Sequence, residues 1–278
     1  MKNKVTINQI TINNASLPEA VEAVAGAGFG GITLWRDKVE ATGIEASKKI
    51  ISDHGLDVTG FCLAGLFTQQ GRDGVRRQID ESRRAIDVAA EVGAPSIVTV
   101  VGGLLPGSKS LDEARDVAFD ALAETLEHAR KAGVTLALEA LHPMYTPDWS
   151  VLNTLREVND WCDRLGAGMG VTVDTYHVWW DPAAPAEIAR AGKAGRLTDF
   201  HVGDWLMETS HLLTDRGIPG EGVIDLAYWQ GLMHDAGHRG WAEVELFSER
   251  VWAMPPGEAL AAIAAGCTET LGSGGARA

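Results

Sequence analysis

Eight short apolar runs, each followed by a longer amphipathic stretch, recur along this 278-residue chain. The runs are VTINQI near residue 5, GGITLWR near 30, VTGFCLAG near 58, APSIVTVV near 94, VTLALEAL near 134, MGVTVDTY near 169, LTDFHVGD near 197 and WAEVELFS near 241. Helical stretches lie between them, for example SLPEAVEAVAGAG and SLDEARDVAFDALAETLEHARKAG. The second opens on Ser110, whose hydroxyl suits an N-cap, with Asp112 and Glu113 placed in the first turn to meet the helix dipole. Gly28, Gly133 and Gly166 stand where helices stop, at positions that favour a left-handed residue. A strand, a loop, a helix and a glycine stop, repeated eight times in this length, predict a parallel sheet closed into a single (β/α)₈ TIM barrel of the α/β class. No G-x-G-x-x-G follows the first strand, which removes the main reason to expect a dinucleotide fold. The barrel is expected to span residues 1–271, with the Gly-rich tail 272–278 disordered.

A net charge of −14 opposes binding to a phosphate backbone, so no nucleic-acid partner is expected. Cys62, Cys162 and Cys267 are widely spaced and odd in number, which suits free thiols in a reducing compartment. The N-terminal stretch MKNKVTINQI lacks the apolar core of a signal peptide, and no apolar run reaches the length of a membrane span. The expectation is a cytoplasmic protein without a membrane partner.

In such a barrel the chemistry sits at the C-terminal ends of the strands. Each of the last four runs delivers a polar residue there: Glu139, Asp174, His201 and Glu245. Singly, such an acid is commonly a helix N-cap or an ion-pair partner, and such a histidine an ordinary packed residue. On four successive strands, three carboxylates and one imidazole converge on one mouth. They form a ligand set for a divalent metal, Mn²⁺ first, with Mg²⁺, Co²⁺ or Zn²⁺ as alternatives. A cation would also relieve the repulsion among the three acids.

His142, His177, Asp204 and Arg216 lie close to these positions in sequence and are candidates to touch substrate or orient a ligand. Glu221, in the same Gly/Pro-rich loop as Arg216, fits a plain turn residue. Trp149, Trp179, Trp180, Trp205 and Trp252 fall in loops after strands, where aromatic faces can pack on a sugar ring or an aryl group. Trp161 and Trp229 fall in helices and fit the core, whereas Trp35 suits either place.

The motifs LALEALHP, VTVDTYHV, DFHVGDW, GIPGEGVIDL and AEVELF make the chain resemble the sugar phosphate isomerase/epimerase family, the xylose-isomerase-like barrels. Among its members, 2-keto-myo-inositol isomerase and the ketose 3-epimerases are most similar in character. The resemblance implies that Glu139, Asp174, His201 and Glu245 hold the metal, that His177 and Arg216 touch substrate, and that the two glutamates serve as acid and base. It implies a keto-sugar or keto-inositol substrate, isomerised or epimerised through a metal-stabilised enediolate. The family's endonuclease branch uses a three-metal cluster with more histidines, a set this chain does not show. The loop tryptophans exceed what a small ketose requires. They keep open a lyase acting on a 3-keto-glycoside, which would work with a small partner subunit, or a keto-inositol dehydratase. A homo-oligomer is a further possibility, and a sugar-binding barrel without turnover is the non-enzymatic alternative.

Overall fold

A computed structural model describes residues 4–271. The expected tail, 272–278, lies outside the described residues. The barrel strands are β1 (Val5–Asn8), β2 (Gly31–Trp35), β3 (Asp57–Cys62), β4 (Ser96–Val100), β5 (Thr135–Glu139), β6 (Met169–Asp174), β7 (Leu197–Val202) and β8 (Ala242–Val244). Eight outer helices alternate with them: α1 (Leu17–Gly26), α2 (Ile44–Asp53), α3 (Gly71–Val92), α4 (Leu111–Ala132), α5 (Leu155–Leu165), α6 (Ala184–Lys193), α7 (Leu226–Asp235) and α8 (Pro256–Leu271). Neighbouring barrel strands pair in parallel at every seam but that between β3 and β4, and β1 meets β8 through Val5 opposite Ala242 and Ile7 opposite Val244.

The seam between β3 and β4 closes differently. After Cys62 the chain continues into a two-residue strand, Ala64–Gly65, which pairs with Thr99 and Val100 of β4. Gly65 holds φ at +112°, and a Cβ there would sit 1.9 Å from the Val100 carbonyl oxygen, so this closure requires glycine. The run VTGFCLAG is therefore two strand pieces rather than one.

Alternation along each strand explains the two layers of the interior. Ile7, Ile32, Leu34, Leu136, Leu138, Val171 and Val173 are fully buried in the main apolar core with the helices. Each such side chain stabilises the fold by roughly 1.5–3 kcal/mol relative to exposure. The intervening residues are Thr6, Asn8, Thr33, Thr172 and their counterparts, and they fill the barrel lumen. Hydrogen bonds between non-adjacent strands prove the direction: Thr33 on β2 donates to Glu243 on β8, and Ser96 on β4 donates to Asp199 on β7 at 3.1 Å. A barrel lumen is usually packed with branched aliphatic residues. Here it is largely polar.

The expected caps are present. Ser110 accepts the Glu113 N–H at 3.1 Å, and Gly28, Gly133 and Gly166 all adopt positive φ at helix ends. Trp161 and Trp229 are core residues, and the three cysteines are free and buried. Among the described residues no helix is long and apolar enough to cross a membrane.

Candidate active site

Strand geometry brings the four expected ligands together. Glu139 and Asp174 are the last residues of β5 and β6, His201 lies opposite Asp174 on β7, and Glu245 directly follows β8. One ligand atom from each lies within 4.8 Å of the others, and all four residues are buried. His201 Nδ1 faces the cluster, 3.4 Å from Glu139 Oε1 and 3.7 Å from Glu245 Oε2. Neither His201 Nδ1 nor Glu139 Oε1 has a hydrogen-bond partner. Buried polar atoms are rarely left unsatisfied, and an oxygen and a ring nitrogen orphaned side by side fit a shared cation.

Asp174 reconciles the bland reading with the functional one. Its Oδ1 accepts the Tyr176 N–H at 2.8 Å and caps the short helix Thr175–Val178. Its Oδ2 faces the cluster, 2.9 Å from Arg216 Nη1. Burial pushes this carboxyl up, but the neighbouring positive charge, that of Arg216 first, outweighs burial and holds it below the usual range. Glu139 has no such guanidinium; burial dominates and pushes it up to about 7. Two acids in one mouth are thus driven in opposite directions.

Arg216 is buried and bridges the site. Nη1 donates to Asp174 Oδ2, to Glu245 Oε2 at 3.0 Å and to the Glu245 carbonyl at 3.1 Å, while Nη2 lies 3.0 Å from His177 Nε2. The guanidinium also stacks over Tyr176, 4.6 Å from the ring centre. His177 is buried rather than a surface loop residue. Its Nδ1 accepts the His142 N–H at 3.3 Å, and burial holds the ring neutral, with a pKa near 3. A neutral imidazole has one acceptor nitrogen, yet both of its nitrogens meet N–H donors. One of those two contacts is therefore mismatched in hydrogen-bonding terms.

Asp204 does not face the cluster. Its Oδ2 accepts the N–H groups of Gly220 and Gly222 at 3.0 and 2.8 Å, and its Oδ1 those of Trp205 and Ile224 at 2.9 and 3.0 Å. Four backbone donors use its acceptor capacity, so the expectation of a substrate contact is corrected: Asp204 anchors the loop that follows Arg216. A Cβ on Gly222 would lie 2.4 Å from Asp204 Oδ1, which explains the glycine in that loop. Glu221 is the expected turn residue, accepting the Ile218 N–H at 2.9 Å and pairing with Arg250.

The loop tryptophans form a wall with the histidines. Trp205 stacks on Tyr176 at 4.8 Å and lies tilted against His142 at 5.1 Å, Trp179 tilts against Trp205, and Trp180 packs edge-on to His142. Trp180 also donates its indole N–H to the His177 carbonyl at 2.8 Å. Trp149 belongs to an apolar group over the ends of β3–β5, with Cys62, Val100, Leu141 and Tyr145, and Trp35 packs against that group. Trp252 donates to the Ile10 carbonyl at 2.6 Å and meets Phe247 edge-on.

Three site neighbours escaped the sequence reading. Asn8 donates through Nδ2 to Glu243 Oε1 at 2.8 Å and to Glu245 Oε1 at 3.0 Å. Glu243 lies 3.4 Å from His201 Nε2. Tyr145 packs edge-on to His177 and donates to the Leu212 carbonyl. The alternation in E-V-E gave a signal for Glu243, since residues two apart on a strand share a face. A separate groove of about 900 Å³ between α3 and α4, lined in part by Arg76, Leu105 and Glu124, includes none of these residues.

The fold and site together define a closed parallel barrel with a buried carboxylate–imidazole cluster at its C-terminal mouth that could hold a divalent ion. The chain belongs to the xylose isomerase-like TIM barrel family, which it matches over residues 21–270. It is similar in structure to protein SMc04130 of Sinorhizobium meliloti 1021, at 43% identity and a TM-score of 0.94, covering 96% of this chain and 98% of that one. It is 25% identical to the 3-dehydroshikimate dehydratase of Pseudomonas putida over 256 residues, 87% of this chain but only 38% of that protein. The chain therefore spans well under half the length of the dehydratase it matches. It is 23% identical to the inosose isomerase of Bacillus velezensis over 275 residues, covering 92% of this chain and 93% of that protein.

Proposed function

We propose that the chain is a divalent-metal-dependent isomerase or epimerase of a small keto-sugar or keto-inositol, removing a proton from the carbon beside the carbonyl. The observation that carries this reading is the orphaned pair at the centre of the site, Glu139 Oε1 and His201 Nδ1, buried 3.4 Å apart. Glu139, Asp174, His201 and Glu245 would hold the ion, Mn²⁺ by first preference, which when bound supplies polarisation of the substrate carbonyl.

The chain's own groups divide the remaining work. No hydrogen bond engages the Glu139 carboxylate, so one oxygen can hold the ion while the other accepts and returns the substrate proton. Glu245 is fixed by Asn8 on one oxygen and Arg216 on the other. Neutral His177 can accept or donate a hydrogen bond to a substrate hydroxyl, and the aromatic wall around it keeps water out.

The same asymmetry supports a second reading. With both Glu245 oxygens engaged, Glu139 is the single free base. One base suffices for loss of a β-hydroxyl, the outcome named by the dehydratase relative. A cyclic, partly apolar ketone also suits the apolar group at Cys62, Val100, Leu141 and Trp149.

Metal content before and after chelation, followed by solvent-deuterium exchange into a panel of ketoses, inososes and 3-dehydroshikimate, tests both readings. Metal-dependent exchange with a rearranged product supports the first. Exchange accompanied only by an unsaturated product favours the second. A protein indifferent to Mn²⁺ and without exchange on any panel member would overturn both and leave a binding barrel.

A further inference from the structure

The lumen beneath the metal ligands holds a carboxylate that the proposed reaction does not use. Glu243 is buried one layer below Glu245 on the same strand face, where a barrel ordinarily places an aliphatic side chain. Burying an ionisable group there is unfavourable unless donors converge on it. They do. Asn8 Nδ2 donates to Oε1 at 2.8 Å, and Thr33 Oγ1 donates to Oε2.

The polarity of this network is fixed by its outer members. Asn8 Oδ1 is taken by two N–H donors, Trp35 Nε1 at 2.7 Å and Ile10 N at 3.1 Å, so its NH₂ must face the two glutamates. Thr33 spends its hydrogen on Glu243. Thr59, 2.9 Å away, therefore donates to Thr33, and Thr6, 2.9 Å further, donates to Thr59. Every donor in the chain runs toward Glu243. On its remaining side is His201, with Nε2 3.4 Å from Oε1 and, like Nδ1, without a hydrogen-bond partner.

We propose that Glu243 is a positioning residue for His201: its carboxylate accepts a hydrogen bond from the Nε2–H of the imidazole, which reserves Nδ1 for the metal. An imidazole can present either nitrogen, and the one it offers is set by the partner of the other. Asn8 extends the device, since the same NH₂ that holds Glu243 also holds Glu245, tying the orientation of two ligands to one amide. The inference rests on the metal reading proposed above.

The test compares wild type with Glu243→Met, which removes both acceptor oxygens at similar length, and Glu243→Gln, which keeps one. Zn²⁺ and Mn²⁺ affinities are measured by chelator competition, and the His201 Nε2–H is followed by ¹H–¹⁵N NMR in the Zn²⁺-loaded and metal-free proteins. E243M is expected to bind both ions about 10–100-fold more weakly and to lose the Nε2–H resonance. E243Q is expected to keep the resonance and recover most of the affinity. Wild-type affinity and resonance in E243M, or a Gln variant as weak as the Met variant, would overturn the assignment. Should E243M fail to fold, Thr33→Val strips one donor from Glu243 without touching His201. An unchanged Zn²⁺ affinity and an unshifted Nε2–H there would overturn it equally. A wild-type protein that bound neither ion would overturn the metal reading alone. The Nε2–H of the metal-free protein then decides the pair: loss in E243M supports it, and persistence overturns it.

Discussion

Arg216 Nη1 lies 2.9 Å from Asp174 Oδ2, joining the loop after β7 to the cluster-facing oxygen at the end of β6. The same nitrogen reaches Glu245, so one guanidinium holds two buried carboxylates from different strands. Removing one partner of such a buried pair typically destabilises by about 3–5 kcal/mol. Arg216→Ala is expected to lower the stability of the chelated protein by that order, with Mn²⁺ restoring part of it. Arg216→Lys keeps the charge but not the fork that spans Asp174, Glu245 and His177, and recovers only part of the loss. Urea titrations with and without Mn²⁺ check this, and an unchanged midpoint in R216A would contradict it.

Glu139→Gln removes the free base while keeping its shape. Exchange of the substrate proton with solvent is expected to fall by about 10²–10⁴-fold. Metal affinity falls as well, so the comparison is made at saturating Mn²⁺. Exchange at the wild-type rate in E139Q would move the base to another residue.

Proton linkage gives the metal-free protein a specific pH response. Burial raises Glu139 to about 7, well above the ordinary carboxyl value. The folded chain therefore holds a proton that the unfolded chain releases near pH 4. The stability from this group is fully present below about pH 4 and lost as pH rises through about 7. Asp174, shifted down, works oppositely: its contribution is present above the ordinary carboxyl range and lost as pH falls through its lowered value. The melting temperature of the chelated protein is expected to fall between about pH 5 and pH 8. Mn²⁺ is expected to raise it more at the upper end, because ligand deprotonation is then already complete. Scanning fluorimetry in EDTA and in Mn²⁺ reads both, and a Tm that climbs across this window in EDTA would refute it.

Asp204→Ala leaves four backbone N–H groups of the loop at 205–224 without their acceptor. Each unsatisfied donor costs about 1–3 kcal/mol when it stays buried, so the loop is expected to open rather than remain in place. Faster proteolysis within this loop should accompany a loss of turnover, since Arg216 lies within it. A variant with wild-type cleavage kinetics would show that the clamp is dispensable.

Much of the fold was readable because it rests on local periodicity. Thr and Asn alternate with Val and Ile in VTIN, and Gly, Thr and Asp with Val in GVTVD, so each strand declares which residues turn inward. The same alternation put Glu139, Asp174, His201 and Glu245 at successive strand ends. It also marked Glu243, two residues before Glu245, though nothing local showed that its partner is a histidine on the neighbouring strand. Asp204 illustrates the opposite case. As a polar residue after a strand it resembled a site residue, and only its bonds to Gly220, Gly222 and Ile224 revealed a loop anchor.

By itself, then, the sequence determined the strand and helix periods, the caps, and the identity of the acids and imidazole at the barrel mouth, because these depend on neighbours a few residues apart. Tertiary structure decided which inward residues meet. Asn8 reaches Glu243 and Glu245 across more than 230 residues of chain, and Arg216 reaches Asp174 across 42. Those pairings follow from β1 closing against β8 and from the loop after β7 folding over the mouth. Barrel closure is a property of the whole sheet that no single segment encodes.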